Sequence, residues 1–149
     1  MKILLAIDDS KFSEAAVQTV AERARSQDAE IRVLHVVEPP SLLVAREMGG
    51  YDPGLDAVWE AETKQAEALV TKVANDLRSK GLKATTTVEQ GDPKSKIIDA
   101  ASKWRADLIV IGSHGRKGLE HFLLGSVSDG VARHAPCSVE IVRISQRQE

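Results

Sequence analysis

Strand-like and helix-like patterns of polarity alternate along the whole chain. Short runs of apolar and β-branched residues without helical spacing, bounded by turn residues, indicate buried strands. Five such runs occur: KILLAI (2–7), EIRVLHVVEPP, which is stopped by Pro39 and Pro40, LKATTTVEQ (82–90), ADLIVIG (106–112) and SVEIVRI (138–144).

Four helices are predicted between these strands from apolar spacing and from capping residues. They are SEAAVQTVAERARSQ (13–27) with Ser10 as its cap, residues 55–80 before Gly81, a helix capped by Asp92 with Pro93 in its first position, and a short helix from Ser126 to about His134. The apolar stripe of the long helix is Val58, Ala66, Leu69, Val73 and Leu77. Residues 41–54 contain Gly-Gly and Asp-Pro-Gly and are expected to form a loop.

The alternation of strands and helices predicts an α/β fold. We expect a single domain over residues 1–149, in which a five-stranded parallel sheet is covered by helices on both faces. Ligands of such sheets bind beyond the carboxyl ends of the strands, where the strand order reverses. The strand ends at Asp8, Val36 and Gly112 are therefore the first candidates for a binding site.

Composition excludes several classes of partner. A net charge of -2 and an aromatic content of 3% give no basis for binding nucleic acid. No apolar run has the length of a membrane span, and the start of the chain does not match a signal peptide, so we expect no membrane association and a cytoplasmic protein. The single cysteine, Cys137, is expected to be a small buried apolar residue.

The segment GSHGRKGLEHFLLGSVS (112–128) after the fourth strand has the chemistry of an anion site. Its glycines let backbone amides approach a phosphate, and the following helix adds free amides and the positive end of its dipole. The contributing residues would be Gly112, Gly115 and Gly125, the hydroxyls of Ser126 and Ser128, and the charges of Arg116 and Lys117. Alternatively, the glycines form a plain turn and Ser126 is only a helix cap.

The remaining candidates are weaker. Asp8 can accept hydrogen bonds from sugar hydroxyls; alternatively, Asp8 or Asp9 only caps the first helix. His35 lies inside a strand and is expected to be a packed or edge histidine. His114 has no identifiable acidic partner for base catalysis. Asp129 can favour the first turn of its helix. The sequence contains no metal-ligand spacing, P-loop, dinucleotide fingerprint or hydrolase elbow.

These residues resemble the universal stress protein family over nearly the whole chain. The specific match is the nucleotide motif G-x2-G-x9-G-[ST], formed here by Gly112, Gly115, Gly125 and Ser126, and AIDDS, VLHVVE, GDPKSKIIDAA and HAPCSVEIV support it. The resemblance implies a Rossmann-like fold of the adenine nucleotide alpha hydrolase type with strand order 3-2-1-4-5. It also implies ATP, with Mg²⁺ on the phosphates, as the ligand.

The resemblance assigns roles to individual residues. Asp8 would contact the ribose or adenine, and Val36 would meet adenine through its backbone. Gly112, Gly115, Gly125 and Ser126 would hold the phosphates, with Val127 and Ser128 close by. Family members commonly form homodimers through the fifth strand, but here Ser138 replaces a common proline and Glu140 stands in a usually apolar run.

Three functions remain open at this point. The first is an ATP-binding regulatory protein of the stress response that acts on a protein partner. The second is a slow ATPase or a self-phosphorylating protein that uses Ser126 or Ser128 as the acceptor. The third is an interaction module that binds no nucleotide.

Overall fold

The computed structural model describes residues 1–25, 28–39, 53–115 and 124–144. They form one five-stranded sheet of parallel strands in the order β3-β2-β1-β4-β5, as the resemblance implied. The strands are β1 (Lys2–Ala6), β2 (Glu30–Val37), β3 (Lys83–Gln90), β4 (Leu108–Gly112) and β5 (Ser138–Val142). The order reverses between β1 and β4, so the carboxyl ends of these two strands flank a crevice.

Four helices among the described residues connect the strands: α1 (Lys11–Ala24), α2 (Pro53–Ser79), α3 (Pro93–Trp104) and α4 (Ser126–His134). The predicted starts of α3 and α4 are confirmed. The predicted loop 41–54 is wrong at its last two positions, because α2 begins at Pro53, where a proline suits the first turn of a helix. The rest of that loop, 41–52, lies outside the described residues.

The predicted fourth strand, 106–112, begins too early. Arg105 ends α3 in the left-handed conformation with φ of 58°, and the Ala106 N–H still donates to the Ala101 carbonyl at 2.9 Å. Asp107 accepts a hydrogen bond from the Lys2 N–H through its side chain at 2.7 Å. Regular strand geometry therefore begins only at Leu108.

Apolar residues on the two faces of the sheet form two separate cores. Leu5, Val33 and Val110 point to the core shared with α1 and α2, whereas Leu4 and Leu34 point to the core shared with α3 and α4. Both faces of β1 are buried, as the continuous apolar strands predicted. The crevice therefore lies at the ends of two strands, β1 and β4, whose residues are mostly buried.

Helix α2 is longer than the strands that it covers. Its 27 residues span about 40 Å, whereas β2 has only 8 residues. Ala66 and Leu77 of the predicted stripe are buried, but Val58 is 47% exposed because the first turns of α2 extend past the carboxyl edge of the sheet. None of the helices in the described ranges has the length and hydropathy needed to cross a membrane.

Cys137 is half-buried and packs against the core under α3 and α4. Burial, with a smaller contribution from the negative charge of Asp107, raises the pKa of its thiol. The side chain packs against apolar residues as expected, but the prediction that it is buried is wrong, because it is only half-buried.

Two helices that begin at the carboxyl edge are capped by side chains. Ser10 Oγ accepts a hydrogen bond from the Ser13 N–H of α1 at 3.2 Å. Asp92 Oδ2 accepts from the hydroxyl and the N–H of Ser95 in α3, at 2.8 and 3.1 Å. These two hydrogen bonds, the hydroxyl bond first, hold the pKa of Asp92 below its usual value.

We expect the substitution Asp92→Ala to lower the free energy of unfolding by about 1 kcal/mol at pH 7, the usual value of an N-cap. Because the folded-state pKa of Asp92 is lowered, its contribution is present above the unfolded-state pKa of about 3.9 and is lost as the pH falls through the folded-state value. Urea unfolding at pH 7 and pH 3 measures this change. Asp99→Ala, an exposed change in the same helix, is the control, and an equal deficit of Asp92→Ala at both pH values would contradict the assignment.

Candidate functional site

A cavity of about 1200 Å³ lies at the carboxyl edge of the sheet, between the ends of β1 and β4 and beside the middle of α2, from Glu62 to Lys72. It is large enough for a mononucleotide. The structure brings all eight residues named by the resemblance to its wall: Asp8, Val36, Gly112, Gly115, Gly125, Ser126, Val127 and Ser128. Arg116 and Lys117 lie outside the described residues.

Asp8 is held at the end of β1 by the first turn of α1. Its Oδ1 accepts hydrogen bonds from the Ser10 N–H and the Ser13 hydroxyl, both at 2.9 Å. Its own N–H donates to Ser13 Oγ at 2.8 Å. Because Ser10 is the N-cap of α1, the alternative that Asp8 or Asp9 caps this helix is wrong.

The second carboxylate oxygen of Asp8 lies next to Gly115. A Cβ atom on Gly115 would stand 3.2 Å from Asp8 Oδ2, which is a tight contact for a carbon atom. A larger side chain at position 115 would therefore displace the carboxylate. Because Gly115 has no side chain, the residues that follow β4 can lie against the end of β1.

Gly112 has a packing role that sequence reasoning missed. A Cβ atom at this position would lie 2.8 Å from both the backbone carbonyl carbon and the Cβ of Phe12. Backbone atoms of a helix cannot move aside cheaply, so only glycine lets α1 approach β4 this closely. The glycine also exposes its backbone at the cavity wall, where the resemblance placed a phosphate contact.

Ser113 is a second residue that sequence reasoning missed. Its carbonyl accepts hydrogen bonds from the Gly125 N–H at 2.8 Å and from Ser128 Oγ at 2.7 Å. These bonds join the end of β4 to the start of α4. The sequence gave no sign of these hydrogen bonds, because Gly125 and Ser128 are each more than ten positions away from Ser113.

Ser128 is not available as a hydroxyl donor to a ligand, contrary to the prediction. It is only 2% exposed, and its single hydroxyl proton is directed to the carbonyls of Ser113 and Gly125, at 2.7 and 3.0 Å. Its hydroxyl instead joins the first turn of α4 to the residue that follows β4. Ser126, in contrast, is exposed at the first position of α4.

The N-terminus of α4 carries no side-chain cap. Its N-cap is Gly125, so the alternative that Ser126 is the cap is wrong. The first amides of the helix, from Ser126 to Ser128, have no acceptor within the helix, and the helix dipole places positive charge at them. Asp129 follows in the first turn, as expected, and pairs with Arg133 at 3.0 Å.

Among the described residues, two histidines line the cavity, and both make contacts within the protein. His114 Nδ1 is 2.9 Å from the Ser113 hydroxyl, and its ring packs on Phe12 with 5.0 Å between centroids. His35 is half-buried, and its Nδ1 lies 2.6 Å from the Ile7 carbonyl oxygen. Within the described ranges, no group of three or more metal-ligating side chains is present.

Comparison with known proteins shows which family this chain belongs to. The family model described as "Universal stress protein family" matches residues 1–143. The chain belongs to the universal stress protein family. Among curated relatives, Universal stress protein MJ0531 of Methanocaldococcus jannaschii is 31% identical over 99% of this chain and 84% of its own length. Universal stress protein YxiE of Bacillus subtilis is 32% identical over 95% of this chain and 98% of its own length.

Solved structures share the fold. Universal stress protein UspA from Lactobacillus plantarum superposes with a TM-score of 0.83 and 26% identity, over 96% of this chain and 97% of that one. More distant neighbours hold nucleotides. A family protein from Arabidopsis thaliana with AMP bound has a TM-score of 0.71 at 20% identity, over 98% of this chain and 93% of that one. A universal stress protein from Archaeoglobus fulgidus in complex with dAMP has a TM-score of 0.65 at 24% identity, over 95% of this chain and 96% of that one.

The two serines of α4 should differ in their effect on stability. We expect Ser128→Ala to lower the free energy of unfolding by about 1–2 kcal/mol, because it removes the hydroxyl bonds to the Ser113 and Gly125 carbonyls. Ser126→Ala should change it by less than about 0.5 kcal/mol, since this side chain is exposed. Urea denaturation of both variants measures the difference. Equal stability of the two variants would show that the Ser128 hydroxyl does not hold the loop.

Proposed function

We propose that this universal stress protein binds ATP in the cavity at the carboxyl edge and acts as a nucleotide-dependent regulatory protein of the stress response. The base would lie near Val36, the ribose near Asp8, and the phosphates at the start of α4. Each of these positions rests on the cavity wall described above.

The uncapped N-terminus of α4 carries the proposal. The helices α1 and α3 begin at the same edge of the sheet, and a serine and an aspartate each accept a hydrogen bond from one N–H of the first turn. Gly125 offers no such oxygen to α4 and leaves its amides directed at the cavity. A phosphate group supplies the missing acceptors and the negative charge that the helix dipole favours.

The nucleotides of the related structures support an adenine nucleotide as the ligand. AMP and dAMP are bound by family proteins whose chains match this one over most of their length. Magnesium would arrive with the nucleotide, since Mg²⁺ is commonly held by phosphates and water together with few protein ligands. The absence of a three-ligand cluster among the described residues is compatible with such an ion.

A regulatory role follows if nucleotide-bound and nucleotide-free forms differ in a surface that a protein partner contacts, because a ligand shifts only equilibria between states that it binds unequally. The enzymatic alternative is slow hydrolysis, or self-phosphorylation with Ser126 or Ser128 as the acceptor. The buried Ser128 hydroxyl is engaged with carbonyls, which leaves Ser126 as the exposed acceptor of the two.

The test is a calorimetric titration of purified, nucleotide-stripped protein with Mg-ATP and Mg-GTP. We expect saturable ATP binding, and a loss of at least about tenfold in affinity for Gly115→Val, since the valine displaces Asp8 Oδ2 and fills the space beside it. Gly115→Ala is the matched control and should lose less, because its Cβ alone makes only a tight contact of 3.2 Å.

Two further outcomes decide the remaining alternatives. If the wild-type protein binds neither nucleotide at millimolar concentration, the loop is structural and the interaction module gains support. If Gly115→Val binds ATP as the wild type does while retaining its stability in urea, the loop does not hold the nucleotide.

We also propose a homodimer that pairs through β5. Glu140, whose charge departs from the family pattern, forms an ion pair with Arg23 of α1 at 2.7 Å within the same chain. Its carboxylate is therefore partnered and directed to the α1 side of the sheet. The Ser113 N–H donates to the Val142 carbonyl, so the alternate residues Val139 and Ile141 direct their backbone groups to the open edge.

We expect Ile141→Pro to convert the dimer to a monomer in sedimentation experiments. The substitution removes an outward N–H and leaves the hydrogen bonds between β4 and β5 in place. Ile141→Val, which keeps the N–H, should remain a dimer. A dimer that persists in the proline variant would place the interface elsewhere.

A further inference from the structure

The hydrogen bonds between β1 and β2 follow a regular parallel ladder up to its last rung. The Glu30 N–H donates to the Met1 carbonyl at 2.8 Å, and the Ile7 N–H donates to the Leu34 carbonyl at 2.9 Å. The register between them pairs Lys2 with Glu30 and, at the other end, Ala6 with Leu34. The even-numbered residues of β2 therefore direct their backbone N–H and C=O groups toward β1.

The next rung of this ladder would join the Val36 N–H to the Ile7 carbonyl. The hydrogen bonds of the described residues do not include it. Instead, His35 Nδ1 lies 2.6 Å from that carbonyl oxygen. A carbonyl oxygen can only accept, so Nδ1 carries the proton and donates it. The side chain of His35 thus takes the acceptor that a continued sheet would offer to Val36.

The backbone of Val36 consequently faces the cavity. At Asp8 the chain leaves β1 for α1, and the Asp8 N–H turns to Ser13 Oγ at 2.8 Å. Nothing of β1 then lies beside Val36, which is 9% exposed and lines the cavity together with His35. A buried N–H and C=O without sheet partners are a donor and an acceptor ready for a ligand.

We propose that His35 is a positioning residue that sets the base preference of this cavity. By holding the Ile7 carbonyl, it keeps the last rung open and leaves the Val36 N–H and C=O to the edge of adenine, whose N1 accepts and whose amino group donates. Guanine would place its acceptor O6 against the Val36 C=O and its donor N1–H against the Val36 N–H, so neither hydrogen bond can form. Buried polar groups that are left without partners strongly disfavour binding. This inference rests on the proposed function.

The first experiment needs no nucleotide. In amide hydrogen exchange followed by NMR, the Val36 amide of the stripped wild-type protein should exchange faster than the Leu34 amide, which lies inside the ladder. In His35→Phe, the Ile7 carbonyl loses its donor, the Val36 N–H closes the rung, and its exchange should slow by at least about tenfold. His35→Asn retains a side-chain N–H donor and should behave as the wild type does.

The second experiment measures the binding preference. The ratio of Mg-ATP to Mg-GTP affinity should fall by at least about tenfold in His35→Phe, the equivalent of one hydrogen bond, and His35→Asn should restore it. The affinity for tripolyphosphate, which has no base, should be the same in all three proteins. A general disturbance of the structure would instead lower the affinity for ATP, GTP and tripolyphosphate together.

The outcomes separate this inference from the proposed function. A wild-type protein that binds no nucleotide overturns the proposed function and this inference with it, whereas an unchanged ATP-to-GTP ratio in His35→Phe, with ATP still bound, overturns only the role of His35. A Val36 amide that is as protected as Leu34 in the wild-type protein also overturns it. That measurement needs no variant, so it decides the matter even if His35→Phe does not fold.

Discussion

The double hydrogen bond to the Ser113 carbonyl sets the geometry of the whole site. It fixes the Gly125 amide and the Ser128 hydroxyl against the end of β4, at 2.8 and 2.7 Å. Helix α4 therefore begins at the mouth of the crevice with its amides directed inward. The close approach of α1 to Gly112 completes the other side. Without these two contacts, the first amides of α4 would not be held at the crevice.

The edge of the sheet is shaped by side chains that end its hydrogen-bond ladders. Parallel strands that finish together leave backbone groups unpaired, and buried groups of this kind need partners. Ser13 takes the Asp8 N–H, and His35 takes the Ile7 carbonyl. Where a side chain makes the hydrogen bond that a neighbouring strand would otherwise make, the backbone groups of that strand stay unpaired. Space is then left beside them. The cavity is thus a product of how the strands stop as well as of the reversal in strand order.

Local signals in the sequence predicted most of the fold. Asp92-Pro93 marked the start of α3, and the glycine spacing located the loop between β4 and α4. The sequence failed where contacts depend on distant residues. The clash that keeps Gly112 a glycine involves Phe12, and the burial of Ser128 involves Ser113. Val58 fits the apolar stripe of the helix but is exposed, because the spacing of apolar residues does not show where a helix extends past the sheet that it covers. The role of each motif residue therefore required the three-dimensional structure.

The pleat of β2 separates two contacts that lie at neighbouring positions of the chain. His35 and Val36 are neighbours, so their side chains point to opposite faces of the sheet, and the Val36 side chain belongs to the core under α3 and α4. The His35 side chain, on the other face, reaches the Ile7 carbonyl oxygen. A substitution at position 35 therefore does not change the side chain that packs in that core. The contact that ends the ladder and the packing of that core are thus encoded by adjacent codons and can vary independently in evolution.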